Sequence, residues 1–294
     1  MSTVERIQLS APDGRRIDVE VSGAADGPTV LFHLGTPSAG FVYPPLSELG
    51  AQRGLRHIAY SRPGYGRSER RAGRTVADCV EDVEAVTEAL GIERFYTVGW
   101  SGGGPHALAC TALLPERTIA CATIASVAPF KADGLDFLEG MGEENHAEFG
   151  AAEAGEEPLA EYLREAREGL MAAGGAEVRA SLGQLLSAVD RDAATGDFAE
   201  YLAALFHGAL EAGIWGWFDD DLAFIADWGF ALEAIERPVA IWQGSEDRFV
   251  PYAHGRWLAA KIPHADARLL DGDGHLSILL GAYGELLDGL LVHG

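Results

Sequence analysis

The chain has 294 residues, 48% of them hydrophobic, 23% charged and 9% aromatic, a balance that excludes a disordered, collagenous or coiled-coil protein. Its formal charge of −23, from 22 basic and 45 acidic side chains, repels phosphate backbones and anionic headgroups, so neither nucleic-acid nor membrane partners are expected. The length suits one large α/β domain or two small ones, and no stretch approaches the roughly 20 apolar residues of a membrane span.

The opening residues, Met1 to Arg6, are charged and contain no apolar run of the kind a secretory signal needs. Arg6 to Ser10 and Arg16 to Ser22 flank Pro12-Asp13-Gly14 and read as an antiparallel hairpin. Thr29 to His33 is a continuous apolar run, as in a strand buried on both faces, and Arg56 to Tyr60 is another, broken by Arg62-Pro63-Gly64. Thr75 to Leu90 places Val76, Cys79, Val80, Val83 and Val86 on one helical stripe. Thr75 with Asp78 offers a cap at its start, and Gly91 stops it. Phe95 to Val98 and Ile119 to Val127 are two more strands. Buried strands alternating with helices predict a doubly wound, mostly parallel α/β sheet with helices on both faces.

The texture changes near Pro129. From Lys131 to Asp227 there are 22 acidic residues and 5 basic ones, a net of −17, in a segment rich in Ala, Glu and Leu that should be helical. Strand character returns at Pro238 to Trp242 and at Ala267 to Leu270. A helical cap inserted into one sheet explains this better than two consecutive domains. The division is 1–130 with 228–294 as the core, and 131–227 as the cap. Cys79, Cys110 and Cys121 are an odd set without C-x-x-C spacing in apolar contexts. They read as small core residues of a cytoplasmic protein.

The sharpest chemical signal is Gly99-Trp100-Ser101-Gly102-Gly103, directly after a strand and before the helix-like run His106 to Cys110. A tight strand-to-helix turn lifts its central serine out above a sheet, and the glycines let strand and helix pass closely. A serine nucleophile needs a base, and the base an orienting acid. Asp247, in Gly244-Ser245-Glu246-Asp247, and His275, in Gly272-Asp273-Gly274-His275, both follow strands, where open parallel sheets place their sites. Glu246 and Asp273 are rivals for the acid; His254, His264 and His293 are rivals for the base. Glu246 should point away, Asp273 should shape the turn, and His254 and His264 read as surface residues. For an oxyanion, two backbone N–H donors are needed. Gly102, after the nucleophile, should supply one, and Thr36, in Phe32-His33-Leu34-Gly35-Thr36-Pro37, the other.

Together with Ser61-Arg62-Pro63-Gly64-Tyr65-Gly66-Arg67-Ser68, these segments resemble the α/β-hydrolase fold superfamily over almost the whole chain. The likeness is closest to its esterase and proline-iminopeptidase-like members. The resemblance implies a Ser101–His275–Asp247 triad, a floor near the site shaped by the Arg62 segment, and a helical cap over the pocket. It departs at one place: the family usually has His-Gly before the oxyanion donor, whereas here Leu34 precedes Gly35.

No cofactor is expected. No two His or Cys stand at ligand spacing on one element, and no Gly-Lys-Ser/Thr follows Gly102-Gly103-Gly104. Three functions compete: a serine hydrolase of a small ester, thioester or lactone with an apolar acyl group; an aminopeptidase using cap carboxylates to hold an ammonium; and a ligand-binding protein that keeps only the fold. An acyltransferase using the same triad is a further variant. Glu143, Glu144, Asp219, Asp220 and Asp221 are candidates for the ammonium site, although a solvated helix face is the expected place for them. Among the aromatics of Ile214 to Phe218 and Trp228 to Phe230, some are expected to line the acyl pocket.

Overall fold

The structure, a computed structural model, describes residues 4–294; Met1, Ser2 and Thr3 of the charged start lie outside the described residues. In chain order the elements are β1 (Glu5–Ser10), β2 (Arg16–Gly23), β3 (Thr29–His33), α1 (Pro44–Ala51), β4 (Arg56–Tyr60), α2 (Cys79–Ala89), β5 (Phe95–Trp100), α3 (Gly104–Leu113) and β6 (Thr118–Ile124). Six helices follow: α4 (Glu143–Ala154), α5 (Glu156–Ala172), α6 (Gly175–Ser181), α7 (Ala188–Ala193), α8 (Gly196–Leu210) and α9 (Trp215–Ile225). The chain closes with β7 (Val239–Gly244), α10 (Tyr252–Lys261), β8 (Asp266–Leu270) and α11 (His275–Leu291).

One eight-stranded sheet has the order β1-β2-β4-β3-β5-β6-β7-β8. β1 and β2 form the expected hairpin, β2 meets β4 antiparallel, and every later pairing is parallel. All residues of β3 and β5 are buried, because side chains alternate onto two covered faces. Leu31, Phe95, Cys121 and Ile241 join the core with α2, α3 and α10. Val30, Val98, Ala122 and Trp242 join the core with α1 and α11. The three cysteines are free and buried.

β6 and β7 are neighbours in the sheet although six helices separate them in sequence. Along α5, Leu159, Leu163 and Leu170 are buried while Glu161, Glu165 and Glu168 face water, a stripe that seats the helix and leaves its charge outside. The helix expected from Thr75 begins four residues later, at Cys79. The carboxylate of Asp78 takes the N–H and hydroxyl of Thr75 at 2.6 and 2.9 Å, which holds Thr75 to Asp78 in a turn before the helix.

Burial holds four of the buried histidines well below the usual range: His33 at about 3, His57 and His254 at about 4, and His106 in the same direction. An unfolded histidine titrates near 6.5, so acid favours the unfolded chain as pH falls through that value. His57, whose Nε2 lies 2.7 Å from the Tyr283 hydroxyl, isolates the effect. A His57→Gln variant should lose about 2 kcal/mol less stability than the parent between pH 7 and pH 5, read from urea unfolding at both pH values.

Candidate active site

Parallel strands put all their C-terminal ends at one rim of the sheet, and the predicted residues gather there. β5 ends at Trp100, and Ser101–Gly103 form a single 3-10 turn before α3. Ser101 has φ of 55°, a left-handed conformation that costs a non-glycine residue about 1–3 kcal/mol. Gly103 makes the turn fit, since a β-carbon there would run into the carbonyl oxygens of His33 and Leu34. Gly99, Trp100 and Gly102 are buried around it, and Ser101 faces a cavity.

Asp247 and His275 meet across the loops that follow β7 and β8. Nδ1 of His275 lies 2.9 Å from Oδ2 of Asp247. The same Oδ2 accepts from the Gln243 side chain at 3.0 Å, while Oδ1 accepts the N–H groups of Phe249 and Val250 at 2.9 and 2.8 Å. Four donors leave the carboxylate no freedom to turn. Burial pushes its carboxyl up, and His275 pulls against that shift. The imidazole packs against Phe249 and Trp100, with ring centroids at 4.5 and 5.5 Å. Ser101, Thr36 and His275 line one small cavity. No hydrogen bond joins Ser101 to the ring among the described residues; such bonds are often long before substrate binds.

Thr36 sits opposite Gly102: a β-carbon on Gly102 would lie 2.5 Å from the Thr36 hydroxyl. That hydroxyl donates to Asp220 Oδ2 at 2.7 Å and accepts from Arg62 Nη2 at 2.9 Å. Arg62 also donates to the carbonyls of Leu34 and Gly35, so one guanidinium clamps the whole loop after β3. Asp220 further accepts from Arg62 at 2.6 Å, Arg74 at 2.5 Å and the Tyr65 hydroxyl at 2.9 Å. Burial alone would raise the Asp220 carboxyl, but the two guanidiniums outweigh it and hold it far below the usual range. His106, buried beside Asp220, reaches the Gly102 carbonyl through Nδ1 at 3.0 Å. Since burial keeps this ring neutral, that nitrogen is the donor.

The acidic triplet corrects the expectation of a solvated face. Sixteen of the 22 acidic residues between Lys131 and Asp227 are exposed, but Asp219, Asp220 and Asp221 are all buried. Successive residues on a helix point about 100° apart, and α9 is enclosed on every side from Gly216 to Asp221. Asp219 therefore pairs with Arg70 at 2.8 Å, Asp220 with Arg62 and Arg74, and Asp221 lines a cavity of about 350 Å³ together with Ser101 and Gly102. Glu148 lines the same cavity and accepts from Trp217 at 2.8 Å. Burial pushes the Glu148 carboxyl up to about 7 and that of Asp221 well above its usual range, so burial favours the neutral form of both. Glu144 also lines the cavity, whereas Glu143 is exposed.

Of the aromatic residues named from sequence, Trp217 lines the cavity, while Trp228 packs in the sheet core. Glu246 is exposed, and Asp273 takes the Ser277 hydroxyl at 3.3 Å and shapes its turn. His264 and His293 are exposed. His254 is a core residue, not a surface one: Nδ1 accepts the Ala128 N–H at 3.1 Å and Nε2 donates to the Phe137 carbonyl at 2.9 Å. Among the described residues, no group of three or more His, Cys, Asp or Glu is placed to hold a metal ion, and no helix is long and apolar enough to cross a membrane.

This arrangement is that of the alpha/beta hydrolase fold, whose family model matches residues 28–282. The chain belongs to that family. It is 26% identical over 289 residues to a non-heme chloroperoxidase of Streptomyces lividans, covering 95% of this chain and 96% of the relative. It is 30% identical over 260 residues to a pimeloyl-[acyl-carrier protein] methyl ester esterase of Xanthomonas campestris pv. campestris, covering 86% and 90%. An enol-lactonase from Burkholderia xenovorans LB400 superposes with a TM-score of 0.71 at 17% identity, over 97% of this chain and all of the other, a likeness of fold.

Two residues of the site carried no sequence signal: Glu148 is one acid among many on α4, and Asp190 reaches the start of α11 from α7. The family resemblance implies the Arg62 segment at the floor of the site, but not its partners. Breaking the Asp220 cluster should show its weight. Asp220→Ala leaves two guanidiniums buried without their partner, and should cost about 3–5 kcal/mol in denaturant unfolding. Glu157→Ala, on an exposed face of α5, should change stability by less than about 0.5 kcal/mol.

Proposed function

We propose that the protein is a serine hydrolase of small carboxylic esters that works through an acyl-enzyme. The observation that carries this is a serine held at positive φ in a cavity that His275 also lines, with the His275 ring fixed by Asp247 at 2.9 Å. In this reading His275 takes the Ser101 proton as Oγ attacks the ester carbonyl. Asp247 keeps the proton on Nδ1 and stabilises the imidazolium. The N–H groups of Gly102 and Thr36 receive the oxyanion, and the clamp of Arg62 and Asp220 keeps the Thr36 loop in place before reaction, which is where electrostatic catalysis gains most. His275 then protonates the leaving alcohol, and water repeats the sequence on the acyl-enzyme.

Residues 131–227 form the cap in this proposal, closing the pocket with α4, α5, α8 and α9. The lining by Val127, Phe149, Leu182, Leu185, Phe206 and Phe224 suits an apolar acyl group. Relatives named as esterases support the same substrate class. Ser101→Ala should abolish labelling by a fluorophosphonate probe and lower kcat on p-nitrophenyl esters by roughly 10⁴–10⁶-fold. Full esterase activity in that variant would overturn the mechanism.

One observation favours a second reading. Glu148 and Asp221 on the cavity wall are placed to meet a substrate ammonium, which would favour their ionised forms, as in an aminopeptidase. The ester reading expects p-nitrophenyl butyrate to be turned over faster than aminoacyl p-nitroanilides. Fast anilide turnover that is lost in Glu148→Gln and Asp221→Asn would select the aminopeptidase.

A further inference from the structure

His275 is the first residue of α11, a placement that works against its proposed role. The first turn of a helix leaves N–H groups without helical partners and concentrates about half a positive charge there. A base at that position becomes a cation when it takes the serine proton, so the helix end by itself opposes the step.

Asp190, from the short cap helix α7, meets this end of α11. Its Oδ2 accepts the backbone N–H of His275 at 2.9 Å, and its Oδ1 accepts those of Leu276 and Ser277 at 2.8 and 3.0 Å. The Ser187 hydroxyl donates to Oδ2 at 3.0 Å and fixes the carboxylate from the cap side. Asp190 is fully buried. The room it fills exists because residue 274 is glycine, where a β-carbon would collide with the carboxylate.

We infer that Asp190 is a positioning residue for His275: it holds the base at the start of α11 and offsets the positive helix end when the ring becomes a cation. The inference rests on the acyl-enzyme reading above. It gives the ring two carboxylates in different roles, Asp247 through the side chain and Asp190 through the backbone and its charge. The other groups facing the ring do not duplicate that charge. From the turn after β5 come Trp100 and Ser101, from α8 Leu202, Leu205 and Phe206, and from the loop after β7 Phe249. Asp273, two residues before the ring, is engaged with the Ser277 hydroxyl.

The test is the pH profile of kcat/KM on p-nitrophenyl acetate from pH 5 to 9. Asp190→Asn keeps the shape and one acceptor but removes the charge. Its acid limb should move to lower pH by about 0.5–1 unit, because the imidazolium is no longer offset. The plateau kcat should fall about 3–10-fold, with KM within about twofold. A folded Asp190→Asn variant with reduced kcat and an unmoved limb would overturn the inference and leave a merely structural cap. Ser187→Ala provides a second arm if Asp190→Asn fails to fold: the charge stays but its anchor is lost. Fluorophosphonate labelling should then slow about 3–10-fold with the limb in place, and unchanged labelling would overturn the positioning role. Failure of the parent reading looks different, because the wild-type protein would then not be labelled at Ser101 at any pH.

Discussion

A carboxylate with no exposure to water is stable only if its partners are all in place together, and Asp220 is such a group. Its partners come from three places: Thr36 from the loop after β3, Arg62 and Tyr65 from the segment after β4, and Arg74 from just before α2. Asp220 itself is on α9, the last helix of the cap. None of these segments can move without leaving a buried charge unpaired. Arg62 passes the constraint on by holding the Leu34 and Gly35 carbonyls. The proposed oxyanion donor Thr36 is thus tied to the ion cluster, and its hydroxyl lies against Gly102.

The proposed cap therefore does more than cover the pocket. α9 reaches the oxyanion side through Asp220, α7 reaches the base side through Asp190, and α4 supplies Glu148 to the cavity wall. Ser101 is set by the turn after β5, and Asp247 by the loop after β7, which Gly142 and Asn145 also hold through the Arg248 and Phe249 carbonyls. The proposed site is in this sense assembled between two layers. Its nucleophile and acid are held by strand ends, while the seats of its base and of its oxyanion loop depend on cap helices.

The large negative charge divides along the same line. Most acids between residues 131 and 227 lie on outer faces such as that of α5, where they are screened within a Debye length of about 10 Å at 0.1 M salt. The few that turn inward escape that screening, and each has a separate fate. Asp219 and Asp220 pair with arginines, Asp190 accepts from helix N–H groups, and burial pushes the Asp221 carboxyl toward its neutral form.

Local chemistry made the fold and the core of the site legible from sequence. Short apolar runs bounded by turn residues read as strands covered on both faces, and β3, β4 and β5 end within two residues of those runs. The glycines around Ser101 admit only a tight strand-to-helix turn, and the residues that follow β7 and β8 named Asp247 and His275. Local pattern also overextended the helix before Ala89, because Thr75 and Asp78 satisfy each other in a turn of their own. What the sequence could not express was partnership across the chain. Asp219, Asp220 and Asp221 look alike in a row and alike from solvent, yet helical rotation sends each toward a different neighbour. Asp190, Glu148, Arg62 and the buried His254 acquired their roles in the same way, from groups brought near by the packing of cap on sheet. A residue's own surroundings in sequence determine its backbone; only the tertiary structure decides which charges lose their water and what replaces it.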